Sequence, residues 1–170
     1  MLNYNWIYEN LSGEMAGCQH YKKCWCKKTI KELGWADDQG GVPLFPGEFE
    51  HLKKLQDDGH TPNRRFTYKN GLWFIETCGG NHKQCMYREH RSMMCRLFPL
   101  QIVVDDKTGL CTLMISQECP LCYKVPEKTL KEAKVVVKMI NIIGNVGDLK
   151  KFAKRMNAFY GKINNFKEIK

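Results

Sequence analysis

Apolar positions along the chain change period several times, and each change predicts an element. Phe49, Leu52 and Leu55 recur every third residue, which predicts an amphipathic helix of about three turns over residues 48–56. Gly40, Gly41, Pro43 and Pro46 mark a loop before it, and Pro46 suits the first helical turn. Residues 57–62 read as loop again. Phe66-Thr-Tyr-Lys and Leu72-Trp-Phe-Ile then flank Asn70-Gly71, a dipeptide that accepts the positive φ angles of a type I′ turn, so a hairpin is predicted. A second hairpin is predicted from residues 100–104 and 110–115 around the turn Asp105–Gly109, because β-branched residues fill both arms. Beyond Pro126 the spacing becomes helical. Leu130, Ala133, Val137 and Ile140 follow it as far as Gly144, and Leu149, Phe152, Ala153, Met156, Tyr160 and Ile163 resume it after a cap at Asp148. Tyr4, Trp6, Ile7 and Tyr8 place a short helix or extended arm in residues 1–17, packed back on the domain, and residues 29–33 read as a short helix stopped by Gly34.

Two hairpins with flanking helices and a C-terminal helical pair predict an α+β fold. Residues 1–125 would form a small cysteine-rich metal-binding domain and residues 126–170 a basic helical extension packed on it. At 170 residues the chain can bury a sizeable core without covalent staples. No apolar run approaches the roughly 18 residues of a membrane span, and the first residues lack a basic and apolar leader, so a cytoplasmic protein with no membrane partner is expected. The formal charge of +9 points to acidic partners. Lys150, Lys151, Lys154, Arg155 and Lys162 fall on the outer face of the last helix, the expected docking face for an acidic protein; as structure alone they are a solvated basic face. Nucleic acid is a weaker expectation, since no interleaved aromatic and basic platform is present.

Cysteine changes this picture most. Nine are present, an odd number that does not suit a closed disulfide framework, and in a reducing compartment they stay thiols. Cys111 alternates in phase with Leu113 and Ile115 and is assigned to the core. Eight remain: Cys18, Cys24, Cys26, Cys78, Cys85, Cys95, Cys119 and Cys122. Soft thiolates bind zinc, iron and iron-sulfur clusters, and eight fill two four-ligand sites or one site with ligands in reserve. His20 is a possible additional ligand, against the plainer reading of a surface histidine. Cys119-Pro-Leu-Cys122 has a chelating spacing, whereas the other cysteines are scattered, which suits an iron-sulfur cluster better than paired zinc knuckles. Two such sites would carry −2 each and lower the charge to about +5. Gly79 and Gly80 would let backbone amides approach cluster sulfur, and Arg91 and Arg96, beside Cys95, would offset thiolate charge as cofactor contacts. The alternative for those arginines is a surface pair with Glu89.

From Cys85 through Arg91 to Cys95-Arg96-Leu97-Phe98-Pro99, the chain resembles the C-x5-R-P-x-x-C-R-x-F-P signature of the CxxCxxCC family, cysteine-cluster proteins described as zinc- or iron-chelating. Ser92 stands where the family has proline, Tyr87 is one place early, and Cys78-Gly-Gly-Asn replaces Cys-x-Phe-Leu. Cys18, Cys24 and Cys26 stand where the family carries C-x-x-C-x-x-C-C, and Cys119-Pro120 is similar to its closing Cys-Pro-Gly. The resemblance spans roughly residues 18–120, and a distant branch of it is the flagellin lysine methylases, whose extra length is missing here.

Two functions are therefore expected. One is an iron-sulfur protein, of the 4Fe-4S type, with a redox, electron-transfer or protein-maturation role. The other is a Zn2+-stabilised binding module that docks an acidic protein or nucleic acid through its basic C-terminal helix. No catalytic triad or paired-carboxylate arrangement is evident.

Overall fold

The computed structural model describes residues 2–11, 42–60, 65–75, 91–97, 100–116, 125–160 and 166–169. The first apolar cluster forms helix α1, Tyr4–Glu9, capped by Asn3, whose side chain accepts from the Trp6 amide. Tyr4 and Ile7 are its buried residues. The chain next appears as strand β1, Val42–Pro43, where a loop is expected from the prolines. Proline has no amide to donate, and here it lies on an edge strand, where that lack is tolerated.

Helix α2 covers Glu48–Asp57 and starts after Pro46, not at it. Gly47 sits at φ 85°, in the left-handed region, so helical geometry cannot begin before Glu48. Glu48 closes the turn that leads into the helix: its Oε2 accepts from the Phe45 amide at 2.9 Å while its own amide donates to the Phe45 carbonyl at 3.0 Å.

Strands β2, Phe66–Lys69, and β3, Leu72–Ile75, pair as the predicted hairpin, with Lys69 opposite Leu72. Asn70 at φ 52° and Gly71 at φ 78° supply its turn, as Asn-Gly requires. β1 joins the other side of β3, giving the order β1-β3-β2. Helix α2 covers one face of this sheet: Leu52 buries against Leu44 and Ile75, and the Phe49 ring stacks on Trp73 with centroids 3.7 Å apart.

A five-residue helix α3, Met93–Leu97, precedes the second hairpin, β4 Leu100–Val104 and β5 Cys111–Ser116, which pairs Leu100 with Ile115 and Val104 with Cys111. Its turn is tied by Asp105, whose Oδ1 accepts from the Lys107 and Thr108 amides at 3.0 and 2.6 Å and from the Thr108 hydroxyl at 2.8 Å. Helices α4, Glu127–Ile143, and α5, Val146–Tyr160, form the C-terminal pair. The cap between them is Asn145, whose side chain accepts from the Asp148 amide at 3.1 Å; Asp148 lies inside the first turn and does not cap it. The last element, β6 Phe166–Glu168, pairs antiparallel with β5 and is not anticipated by the spacing of the C-terminal residues. The fold is α+β, and among the described residues the strands form two three-stranded sheets.

One core joins these parts. Leu72 and Phe74 from the first sheet, Met93 and Leu97 from α3, Leu100, Ile102 and Leu113 from the second sheet, and Val136, Ile140, Leu149 and Phe152 from the helical pair are all buried in it, with Tyr4 and Ile7 of α1. Helix α4 packs on β5, and α5 on β4 and β3. Phe152 meets Phe45 at 4.7 Å between ring centroids, and Phe74 meets Phe159 at 5.2 Å, spacings at which tilted aromatic rings attract.

Candidate functional site

Two of the nine cysteines fall within the described residues, and they occupy different surroundings. Cys111 lies at the start of β5, 5% exposed and within the core, where loss of solvent pushes its thiol up to about 12. Its backbone is held on both sides by Asn141 of α4, which accepts from the Cys111 amide at 2.7 Å and donates to its carbonyl at 2.9 Å. A thiol so placed packs as a small hydrophobe. Cys95 is half-buried on α3, with its amide donating to the Ser92 hydroxyl at 3.4 Å. Cys18, Cys24, Cys26, Cys78, Cys85, Cys119 and Cys122 lie outside the described residues, as do His20, Gly79, Gly80, Glu89, Lys162 and the helix expected at residues 29–33. Among the described residues no group of three or more His, Cys, Asp or Glu side chains is arranged to hold a metal ion.

The two arginines beside Cys95 are buried, each 7% exposed, and so are not the surface side chains of the alternative reading. Arg96 points back to the N-terminal segment. Its Nη1 donates to the carbonyls of Tyr8 at 3.0 Å and Leu11 at 2.8 Å, its Nε donates to the Arg91 carbonyl at 3.3 Å, and its guanidinium carbon lies 4.3 Å from the centre of the Tyr8 ring. A guanidinium satisfied in this way bridges chain segments through its fixed fork of donors.

Beside it lies a residue that spacing arguments miss. Glu48 is fully buried at the start of α2, a position that its charge would assign to solvent. Its Oε1 accepts from the Tyr8 hydroxyl and from the Met93 amide, both at 2.5 Å, and its Oε2 from the Phe45 amide. Burial pushes the Glu48 carboxyl up, while the bonds from Tyr8, Met93 and Phe45 and the nearby Arg96 charge pull against it. Burial, reinforced by Glu48, also holds the Tyr8 phenol well above its ordinary range. His51, one turn along α2, lies against the Tyr4 and Tyr8 rings at 5.7 and 5.1 Å; its pKa is lowered first by partial burial and then by the charges of Arg96 and Lys54. The one sequence signal for this cluster is the spacing of Phe45 and Glu48, where a carboxylate three residues on can reach back to an amide.

A separate open cleft of about 310 Å³ runs between the second sheet and α5, lined in part by Asp105, Asp106, Asn157 and Glu168. Two of its carboxylates have internal work: Asp105 holds the hairpin turn, and Asp106 accepts from the Asn157 amide at 3.3 Å.

On the outer face of α5, Lys151 and Lys154 are exposed, Lys150 is half-buried, and Arg155 reaches across to the Gly71 carbonyl at 2.7 Å. Among the described residues no helix is long and apolar enough to cross a membrane. Comparison with protein-family models, with curated proteins and with solved structures finds no match.

Proposed function

We propose that this chain is a metal-binding cysteine-cluster protein carrying an iron-sulfur cluster, with a redox, electron-transfer or protein-maturation role. The observation that supports it is the contrast between its two described cysteines. The one whose phase marks it as core is packed among apolar side chains with its thiol held protonated, and the one set in the Cys-Arg-x-Phe-Pro motif is half-buried on a helix braced by Glu48 and Arg96. Thiolate is the form that ligates metal, so exposure and bracing favour Cys95 and disfavour Cys111. In this reading Cys78, Cys85 and Cys95 supply ligands with at least one of Cys18, Cys24, Cys26 or Cys119, because four thiolates complete most such sites. Arg91 and Arg96 supply positive charge close to Cys95.

Anaerobic purification tests it. Brown protein with absorption near about 400 nm, and iron and acid-labile sulfide in comparable amounts, is the expected result for thiolate-held clusters. Cys95→Ser then lowers the metal content and Cys111→Ser leaves it unchanged. Colourless protein holding stoichiometric zinc after iron-supplemented anaerobic expression overturns the cluster and favours the zinc-stabilised binding module. Exposed Lys151 and Lys154 support an acidic protein partner for that module. Their replacement by Gln should then weaken partner capture and flatten its dependence on salt.

A further inference from the structure

Helices α1 and α3 lie more than 80 residues apart in sequence, yet one set of bonds closes on both. Glu48 takes a proton donor from each with the same oxygen atom: the Tyr8 hydroxyl of α1 and the Met93 amide that opens α3, each at 2.5 Å. Arg96 closes the loop in the other direction, donating from α3 to the carbonyls of Tyr8 and Leu11 at 3.0 and 2.8 Å. Its guanidinium also rests over the Tyr8 ring. Of these groups only the Tyr8 hydroxyl and carbonyl belong to α1, with the Leu11 carbonyl just past its end, so undocking that segment leaves a buried carboxylate and a buried guanidinium each short of partners. A buried polar group that loses its partner is costly.

We infer that Glu48 and Arg96 form an interlock that couples the seating of α1 to the order of α3, the helix that bears Cys95. Neither helix is held by length: α1 has six residues and α3 five, both too short to be stable by propensity alone. Each depends on tertiary bonds, and the decisive ones are shared. Glu48 and Arg96 are positioning residues in this scheme. They orient the backbone on which Cys95 is carried and anchor Leu11, from which the chain runs on toward Cys18. The consequence for metal rests on the reading of Cys95 as a ligand; the interlock itself does not.

Tyr4→Ala is the informative variant. Tyr4 fastens α1 elsewhere, donating to the Pro46 carbonyl at 2.9 Å and stacking on His51, so its removal loosens α1 without deleting any atom of the interlock. Amide hydrogen exchange is read on the full chain at Ile7 in α1 and Asn10 at its C-terminal cap, at Met93 and Arg96 in α3, and at Asp105 and Gly109 in the second hairpin. The interlock predicts that the α1 and α3 amides speed up together, by about tenfold or more, while the hairpin amides keep their rates, as separate cooperative units do. Faster exchange confined to α1 overturns it, and so does an equal acceleration at all three places, which marks global destabilisation. Should Tyr4→Ala fail to fold, Tyr8→Phe, which lacks one oxygen atom, is read by the same comparison. Metal content is measured on the same samples. If α1 and α3 exchange together but metal per chain is unchanged from wild type, the interlock stands and its link to the cluster falls. If wild-type protein carries no metal, the ligand reading of Cys95 fails while the exchange pattern still decides the interlock.

Discussion

At the scale of single residues, polar groups inside the protein decide the most. His51 has a lowered pKa because it is partly buried and faces Arg96 and Lys54. The folded state therefore binds its proton less well than the unfolded chain, and the stability this contributes is complete above about pH 6.5, the ordinary histidine value, and is lost as pH falls through the lowered folded value. Glu48 acts with the opposite sign: its raised pKa gives stability that fades as pH climbs from the ordinary carboxylate range. Thermal unfolding of wild type and His51→Phe from pH 7.5 to pH 5 separates the two, because Glu48 is common to both; the variant should show the shallower acid loss. Thr129 provides a second test. Its hydroxyl is buried and has no partner among the described residues, so Thr129→Val, which keeps the shape and removes the oxygen, should stabilise by about 1 kcal/mol in denaturant titration. Removing a partner from a paired buried group acts the other way. Glu48→Gln turns one of the two accepting oxygens, both of which receive donors, into a donor itself, and a loss of about 3 kcal/mol is expected by the same measurement.

At the scale of elements, the joints between helices and strands carry the constraints. Gly144 separates α4 from α5, and a side-chain carbon there would lie 2.4 Å from the Ile140 carbonyl oxygen and 2.9 Å from the Leu149 side chain. Backbone cannot give way as a flexible side chain does, so Gly144→Ala should lower the melting temperature and cost about 2 kcal/mol. Asn145→Ala, which deletes only the cap of α5, should cost about 1 kcal/mol. Two further joins tie distant parts: Asn141 of α4 brackets the backbone of Cys111, and Arg155 of α5 ties to the Asn-Gly turn of the first hairpin. Neither side chain lies in the apolar stripe of its helix, which is why periodicity does not foresee these two ties.

At the scale of the whole molecule, the C-terminal residues are part of the same core as the hairpins. Ala133, Val136, Ile140, Leu149, Phe152 and Ala153 are buried against the sheets, and β6 completes the second of them. A chain ending at residue 125 exposes the apolar faces those residues cover. It should bind a hydrophobic dye and show no cooperative unfolding, whereas a fully independent N-terminal domain would melt sharply. Chemistry at this scale is tested by metal analysis, where Cys95→Ser and Cys111→Ser should part: the first loses metal with a modest change in stability, and the second keeps metal while a hydroxyl in an apolar site lowers its melting temperature.

The sequence by itself determined the elements whose cause is local. Asn70-Gly71 dictates a turn through its φ angles, the alternation of residues 100–104 and 111–116 dictates which face is apolar, and the phase of Cys111 places that thiol in the core. The helical pair and its Gly144 break follow from a 3.6-residue period for the same reason. Tertiary structure alone decided the rest. Glu48 reads as a surface carboxylate on a helix and becomes buried because Tyr8 and Met93, far from it in sequence, bring donors to it. Arg96 belongs to a cysteine motif, yet its Nε and Nη1 donate to the carbonyls of Arg91, Tyr8 and Leu11, which only folding gathers. Val42–Pro43 and Phe166–Glu168 are strands because β3 and β5 offer them an unpaired edge, an opportunity that no local pattern records. Local preferences act over a few residues along the chain, whereas burial and hydrogen-bond satisfaction depend on which groups share a volume.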